Sequence, residues 1–370
     1  MSSSCVSFAK NTDIEFGQKD RLRSRKLIIP VFVPHMGCPH DCCFCNQRTI
    51  SGQTEPPAED DVRKIIDSYK GIVDNYGSVE IAFYGGSFTA IPFSQQEMYL
   101  HTARNRVGWD VPFRVSTRPD CIDLPALKLL EKYGVHTIEL GAQSMDDHVL
   151  KASGRGHLAE DTVKAAELIK RRGFTLGIQT MLGLPGADRK TELYTVQQVI
   201  KLKPELVRIY PTIVLEGTEL ARMYLEGKYK AMQLATAVEL SATIIPEYEK
   251  NGITVIRTGL QSSDNIGEGG KITAGPYHPA FGELVRSRIA LNWLCGQIPD
   301  FALQPEPRKQ EFRKNLSFYG NSVKIVFSGD RLNIHVPAKL VSQFVGQHHC
   351  NIKYIGERYD CRVRVVGGDT

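Results

Sequence analysis

"LIIPVFVPHMGCPHDCCFCNQ", Leu27 to Gln47, carries a strand-length apolar run straight into a loop that holds four cysteines. The first half, "LIIPVFVP", is β-rich, interrupted by prolines and far too short to span a membrane. The second half contains Cys38, Cys42, Cys43 and Cys45, four of the nine cysteines in the chain. A strand that ends in a loop of reactive side chains is the first unit of a pattern that continues downstream, and that pattern decides the fold.

The β-rich runs that follow are "SVEIAFYG" from Ser78, "FRVSTRP" from Phe113, "HTIELGAQ" from His136, "TLGIQTMLG" from Thr175, "LVRIYPT" from Leu206 and "TVIRTGL" from Thr254. Between them lie stretches such as "AEDTVKAAELIKRRG" and "MQLATAVELSATIIPEYEKNG", whose apolar residues recur at helical spacing and which end at glycine. Strands alternating with helices predict a parallel sheet with helical crossovers. Six or seven such units predict a partial or complete (β/α) barrel, with chemistry at the C-terminal strand ends. No GxGxxG follows the first strand, which argues against a dinucleotide-binding fold.

Residues 1–26 read as a polar leader, 27–275 as the barrel, 276–319 as a helical connection and linker, and 320–370 as a small α+β module. The leader has no apolar h-region, so no secretory signal is expected and a reducing, cytoplasmic setting follows. The 370 residues are 42% apolar and 24% charged with a net charge of +5. That balance permits a polyanionic partner without demanding one. Neither a membrane nor DNA is an expected partner.

In a reducing compartment clustered cysteines bind metal or do chemistry. Zinc is one reading, with His35 or His40 completing the ligands, but zinc ligands usually come as separated pairs and no second CxxC exists here. The other is a cubane iron–sulfur cluster held by three thiolates, which leaves one iron open to chelate S-adenosylmethionine (SAM).

Cys38, Cys42 and Cys45 stand as C-x3-C-x2-C with Phe44 before the last, and "FYGGSFTAIP" ends the second strand. This resembles the radical SAM superfamily. Further stretches resemble one branch, the catalytic subunit of Elongator: "STRPD" (Ser116–Asp120), "ELGAQS" (Glu139–Ser144), "SGRGH" (Ser153–His157), "MLGLPG" (Met181–Gly186) and "RIYPTIVLEGTEL" (Arg208–Leu220). The resemblance implies a radical SAM type of (β/α) barrel, with a [4Fe–4S] cluster on Cys38, Cys42 and Cys45. It places SAM against Gly85, Gly86 and Ser87, with Ser116, Arg118, Glu139, Gln143 and Ser144 around the ribose or carboxylate. The implied chemistry is reductive cleavage of SAM to a 5′-deoxyadenosyl radical, fed by a flavodoxin- or ferredoxin-like reductant.

Arg155 and His157 of "SGRGH" read as loop structure ahead of a helix rather than as catalytic groups. Gln179 and Tyr210 face the barrel mouth, and Tyr210 is the candidate for hydrogen-atom relay or base stacking. His278 and Glu283 in "GPYHPAFGELV" form a candidate acid–base pair. The resemblance points to tRNA or another RNA as substrate, but the chain leaves too little length for the acetyltransferase domain of Elongator-type enzymes. The tail resembles a KH module, with "GQHH" between two helices where a GxxG loop would sit. Gly346 is present, His349 replaces the second glycine, and Lys339, Lys353 and Arg358 supply charge nearby. Two alternatives stay open: a radical SAM enzyme acting on a small metabolite, as coproporphyrinogen oxidases do, and a non-catalytic cluster-containing RNA-binding protein.

Overall fold

The computed structural model describes residues 26–33, 40, 42–45, 56–260, 271–298 and 311–368. Cys38 therefore lies outside the described residues, as do His35 and residues 1–25 of the leader.

The barrel strands are β1 (Lys26–Val33), β2 (Ser78–Gly85), β3 (Phe113–Thr117), β4 (Val135–Gln143), β5 (Thr175–Leu182) and β6 (Leu206–Pro211). After β7 (Val214–Leu215) comes β8 (Thr254–Thr258), then β9 (Ile272–Ala274). The seven-stranded sheet has the order β1-β2-β3-β4-β5-β6-β8, while β7 and β9 form a two-stranded sheet of their own. The pairings from β1 to β5 are parallel. Because the order ends at β1 and β8, the sheet is an open, partial barrel.

The crossover helices are α1 (Glu59–Ser68), α2 (Phe93–Val107), α3 (Leu124–Lys132), α4 (Asp147–Ala152), α5 (Ala159–Arg171), α6 (Arg189–Leu202), α7 (Glu219–Leu225) and α8 (Leu234–Lys250). Their starts are fixed by short polar side chains: Asp123 accepts the Ala126 N–H at 2.8 Å and Asp146 the Val149 N–H at 3.1 Å. In α5, Glu160 and Asp161 open the helix while Lys170 and Arg171 close it, which complements the helix dipole.

By contact density the described residues divide into two units, one running to Thr180 together with Lys201–Leu206, the other comprising Met181–Ile200 and the chain from Val207. The interior of the first is not purely apolar. Arg114 of β3 donates to Glu80 of β2 at 3.0 Å and also to Glu139 of β4, and Lys26 reaches Glu80 at 3.0 Å. The three central side chains are at most 6% exposed, so the charges offset one another away from solvent.

The second unit carries α9 (Phe281–Gln297) and a mixed sheet of β10 (Phe312–Phe318), β11 (Asn321–Ser328), β12 (Arg331–Val336) and β13 (Arg362–Gly367) in sequential order. Strand β10 falls in the stretch expected as linker, so this sheet begins ahead of residue 320. Helices α10 (Val341–Val345) and α11 (Cys350–Tyr359) cover one sheet face. Phe318 and Phe344 meet edge-on at 5.1 Å, and Trp293 of α9 joins them. Asn351, 2% exposed, donates to the Ser287 and Gln343 carbonyls at 3.0 Å each and so ties α11 to α9. In the "GQHH" turn, His348 and His349 adopt φ of 52° and 62°. His349 thus takes a left-handed conformation where a GxxG loop would place glycine.

Candidate functional site

The "SGRGH" loop, read from sequence as local structure, grips the cysteine loop. The Cys43 N–H donates to the Ser153 carbonyl at 3.0 Å, and the Cys45 N–H to the Cys42 carbonyl at the same distance, closing a tight turn. Arg155 Nη1 donates to the Cys42 sulfur at 3.3 Å while its Nη2 is anchored on the Gly141 carbonyl at 2.6 Å. Gly156, at φ +73°, lies under His40: a Cβ there would come 2.3 Å from the imidazole Nδ1.

Arg118, from the end of β3, approaches the same sulfur at 3.9 Å. It is fixed by Asp120, at 2.9 and 3.1 Å, and by the Arg155 carbonyl. Asp120 also faces His40 at 3.7 Å. Burial pushes the Asp120 carboxyl up, but the Arg118 hydrogen bond and charge outweigh it and hold it below its ordinary value. His157, 3% exposed, is pushed down to about 4 by burial, with the Arg155 and Arg118 charges adding to the effect. It is a neutral imidazole at neutral pH.

At the end of β2 the backbone decides. Gly85 has φ +115°, and a Cβ there would sit 2.2 Å from the Val33 carbonyl oxygen, so only glycine lets β2 close against β1 at this level. The Gly86 N–H donates to that same carbonyl at 3.0 Å. The Ser87 hydroxyl lies 2.7 Å from that of Thr117 and accepts the Arg118 N–H at 3.1 Å, which braces the ends of β2 and β3.

Ser116 is half-buried on β3, opposite Glu139 in register, and Glu139 is engaged by Arg114. Gln143 ends β4 at φ 67° and accepts from Gln179 at 3.4 Å. Ser144 accepts the Asp146 N–H at 3.1 Å in the turn into α4. The first unit therefore gathers Cys42, Cys45, Arg118, Gln143 and the glycine turn at its C-terminal strand ends, where a (β/α) barrel carries its chemistry.

Tyr210, His278 and Glu283 belong to the second unit. Tyr210 lies 3.4 Å from Arg208. His278 accepts the Ala280 N–H at 3.1 Å, and among the described residues no hydrogen bond joins it to Glu283. The imidazole thereby serves the turn into α9.

The donor set suits an iron–sulfur cluster better than an inert loop. Cys42 and Cys45 sit on one tight turn, and two guanidinium groups reach the Cys42 sulfur, which is matched to sulfur bearing negative charge as a metal-bound thiolate does.

An open parallel barrel with such a cysteine loop at a strand end is the architecture of cluster-dependent SAM enzymes. The chain belongs to the radical SAM superfamily, whose profile matches residues 32–198, and a Radical SAM C-terminal domain matches residues 204–290. It is an enzyme of that class, whose cofactors are a [4Fe–4S] cluster and SAM. It is 29% identical to the tRNA uridine(34) acetyltransferase of Methanocaldococcus jannaschii over 51% of this chain and 41% of that protein. It is 30% identical to an uncharacterised protein of the same organism over 58% of this chain and 69% of that one. The chain thus spans less than half the length of the curated acetyltransferase it matches. Its fold is similar to that of Methanocaldococcus infernus Elp3, with a TM-score of 0.58 at 20% identity over 85% of this chain and 83% of the other. Among the described residues no helix is long and apolar enough to cross a membrane.

Proposed function

We propose that this chain uses Cys38, Cys42 and Cys45 to hold a [4Fe–4S] cluster, binds SAM beside it, and modifies a base in RNA, tRNA foremost. The observation that carries the cluster assignment is the convergence of Arg118 and Arg155 on the Cys42 sulfur. The RNA assignment is supported by similarity to tRNA-modifying relatives.

When bound, the cluster supplies the electron that splits SAM into methionine and the 5′-deoxyadenosyl radical. The protein's own residues position and shield. Arg155 and Arg118 offset negative charge at Cys42. Gly86 offers main chain without a side chain at the end of β2, and Gln143 with Ser144 supplies hydroxyl-binding groups at the end of β4. Tyr210, His278 and Glu283 are the candidate groups on the substrate side. The electron comes from a flavodoxin- or ferredoxin-like protein in the cytoplasm.

The test is anaerobic reconstitution with iron and sulfide, followed by SAM, dithionite and either bulk tRNA or coproporphyrinogen. The expected result is 5′-deoxyadenosine whose formation tRNA stimulates, with a mass shift on a tRNA nucleoside. Stimulation by the porphyrinogen alone would contradict the RNA reading.

A further inference from the structure

The mixed sheet β10–β13 has two unlike faces. Val323, Ile325, Phe327, Leu332 and Ile334 are at most 1% exposed beneath the helices. The alternate residues form the other face, and their charges share one sign. Arg313, Arg331, Arg362 and Arg364 are exposed there and Lys324 is half-buried, interspersed with Asn and Ser. The register aligns them: Arg331 stands directly beside Arg362, Lys324 beside His335, and Arg364 beside Asn333. No Asp or Glu occupies the strands of this face. Asp330, in the turn, pairs with Arg362 at 2.6 Å, and Glu311, ahead of β10, accepts from Ser328.

Arg331 and Arg362 stand directly opposite one another and share a single carboxylate, Asp330, at 3.9 and 2.6 Å, so one negative charge answers two positive ones. Arg313, Lys324 and Arg364 make no ion pair among the described residues. Residues 311–368 hold nine Lys and Arg against four Asp and Glu, a surplus equal to the +5 of the whole chain. The rest of the sequence is balanced, so the basic character of the protein resides in this module.

We propose that this open sheet face, on the far side of the sheet from the "GQHH" turn, is a docking surface for the phosphate backbone of the RNA substrate. The proposal rests on the RNA reading above and names the surface that reading would use. Charge complementarity selects a polyanion. The face carries no Phe, Tyr or Trp on which bases could stack, so it suits backbone contact without sequence readout.

The experiment uses the full-length reconstituted protein and labelled bulk tRNA, titrated at several salt concentrations. One variant carries Arg313→Gln, Lys324→Gln and Arg364→Gln; a second carries Lys339→Gln, Lys353→Gln and Arg358→Gln on the helical side. Circular dichroism and tRNA-independent 5′-deoxyadenosine formation should match wild type in both. The sheet variant is expected to bind tRNA at least ~10-fold more weakly near 0.1 M salt, with the slope of log K against log salt smaller by about 2, as loss of three phosphate contacts implies. The helical variant should change binding less than ~3-fold. Wild-type binding by the sheet variant, or weakening confined to the helical variant, would overturn the docking surface and leave the RNA reading standing. Absence of binding by the wild-type protein at low salt would overturn both.

Discussion

Arg155 Nη1 lies 3.3 Å from the Cys42 sulfur, across 113 residues of sequence. Its other terminal nitrogen is held by the Gly141 carbonyl, so the guanidinium is anchored before any metal arrives. Replacing it with methionine keeps bulk but removes both hydrogen bonds. Arg155→Met is expected to retain severalfold less iron and sulfide per chain after reconstitution, with Arg155→Lys in between, while far-UV circular dichroism stays unchanged. Iron and sulfide assays decide this, and equal loading in all three proteins would contradict a role for Arg155 at the cluster.

The turn at Gly85 is the second test. Any side chain there meets the Val33 carbonyl at 2.2 Å and must adopt φ +115°. Gly85→Ala should destabilise the protein by ~3 kcal/mol or more, read from the urea midpoint. Gly173→Ala, at φ +80° but with open space around it, should cost only the ~1 kcal/mol of the strained backbone.

The buried cluster of Glu80, Arg114 and Glu139 predicts an asymmetric response. Removing the cation by Arg114→Met strips Glu139 of its guanidinium partner and leaves Glu80 with Lys26 alone in the barrel interior, and should cost ~3–5 kcal/mol. Adding Glu80→Gln and Glu139→Gln to that variant should recover part of the loss. Denaturant titrations of the single and triple variants make the comparison.

Glu192 gives stability a pH dependence of defined sign. Its carboxylate accepts the Gly183 N–H at 2.7 Å, but burial pushes its pKa up to about 7 from 4.5, with the Asp188 charge adding to the rise. Between those values the folded protein keeps a proton that the unfolded chain has released. Stability from this group therefore falls as pH rises from 4.5 to 7, and the deficit levels off above 7 at ~3 kcal/mol. Glu192→Gln still accepts the Gly183 N–H but carries no charge. Its melting temperature should match wild type near pH 4.5 and exceed it increasingly up to pH 8.

The sequence revealed the strands because their β-branched runs end in loops and alternate with helical spacing; "SVEIAFYG" and strand β2 share both boundaries. Strand β10 was hidden by Lys314. It occupies an inward position in "FRKNLSF", which spoils the alternation, and it belongs there because its ammonium donates to the Gln297 carbonyl at the end of α9, 2.7 Å away. The cysteine motif was visible in the spacing, and the downstream stretches that resemble radical SAM enzymes gave it a reading. What holds it was not, since periodicity says nothing about which distant loops meet, and Arg155 looked like any arginine ahead of a helix. Two glycines flanking an arginine in "SGRGH" were the available signal: Gly156 is small because His40 lies against it. His278 has a duty that spacing does not reveal, since it accepts the Ala280 backbone N–H in the turn into α9.

The central claim is that three thiolates hold a cluster with one iron left for SAM. Its most direct measurement is 5′-deoxyadenosine formed by anaerobically reconstituted protein given SAM and dithionite, beside variants with Cys38, Cys42 or Cys45 replaced by alanine and a Cys43→Ala control. Product from wild type and from Cys43→Ala, with none from the other three, is the predicted result. Product that survives loss of any of those three thiols, or zinc in place of iron throughout the wild-type protein, would contradict it.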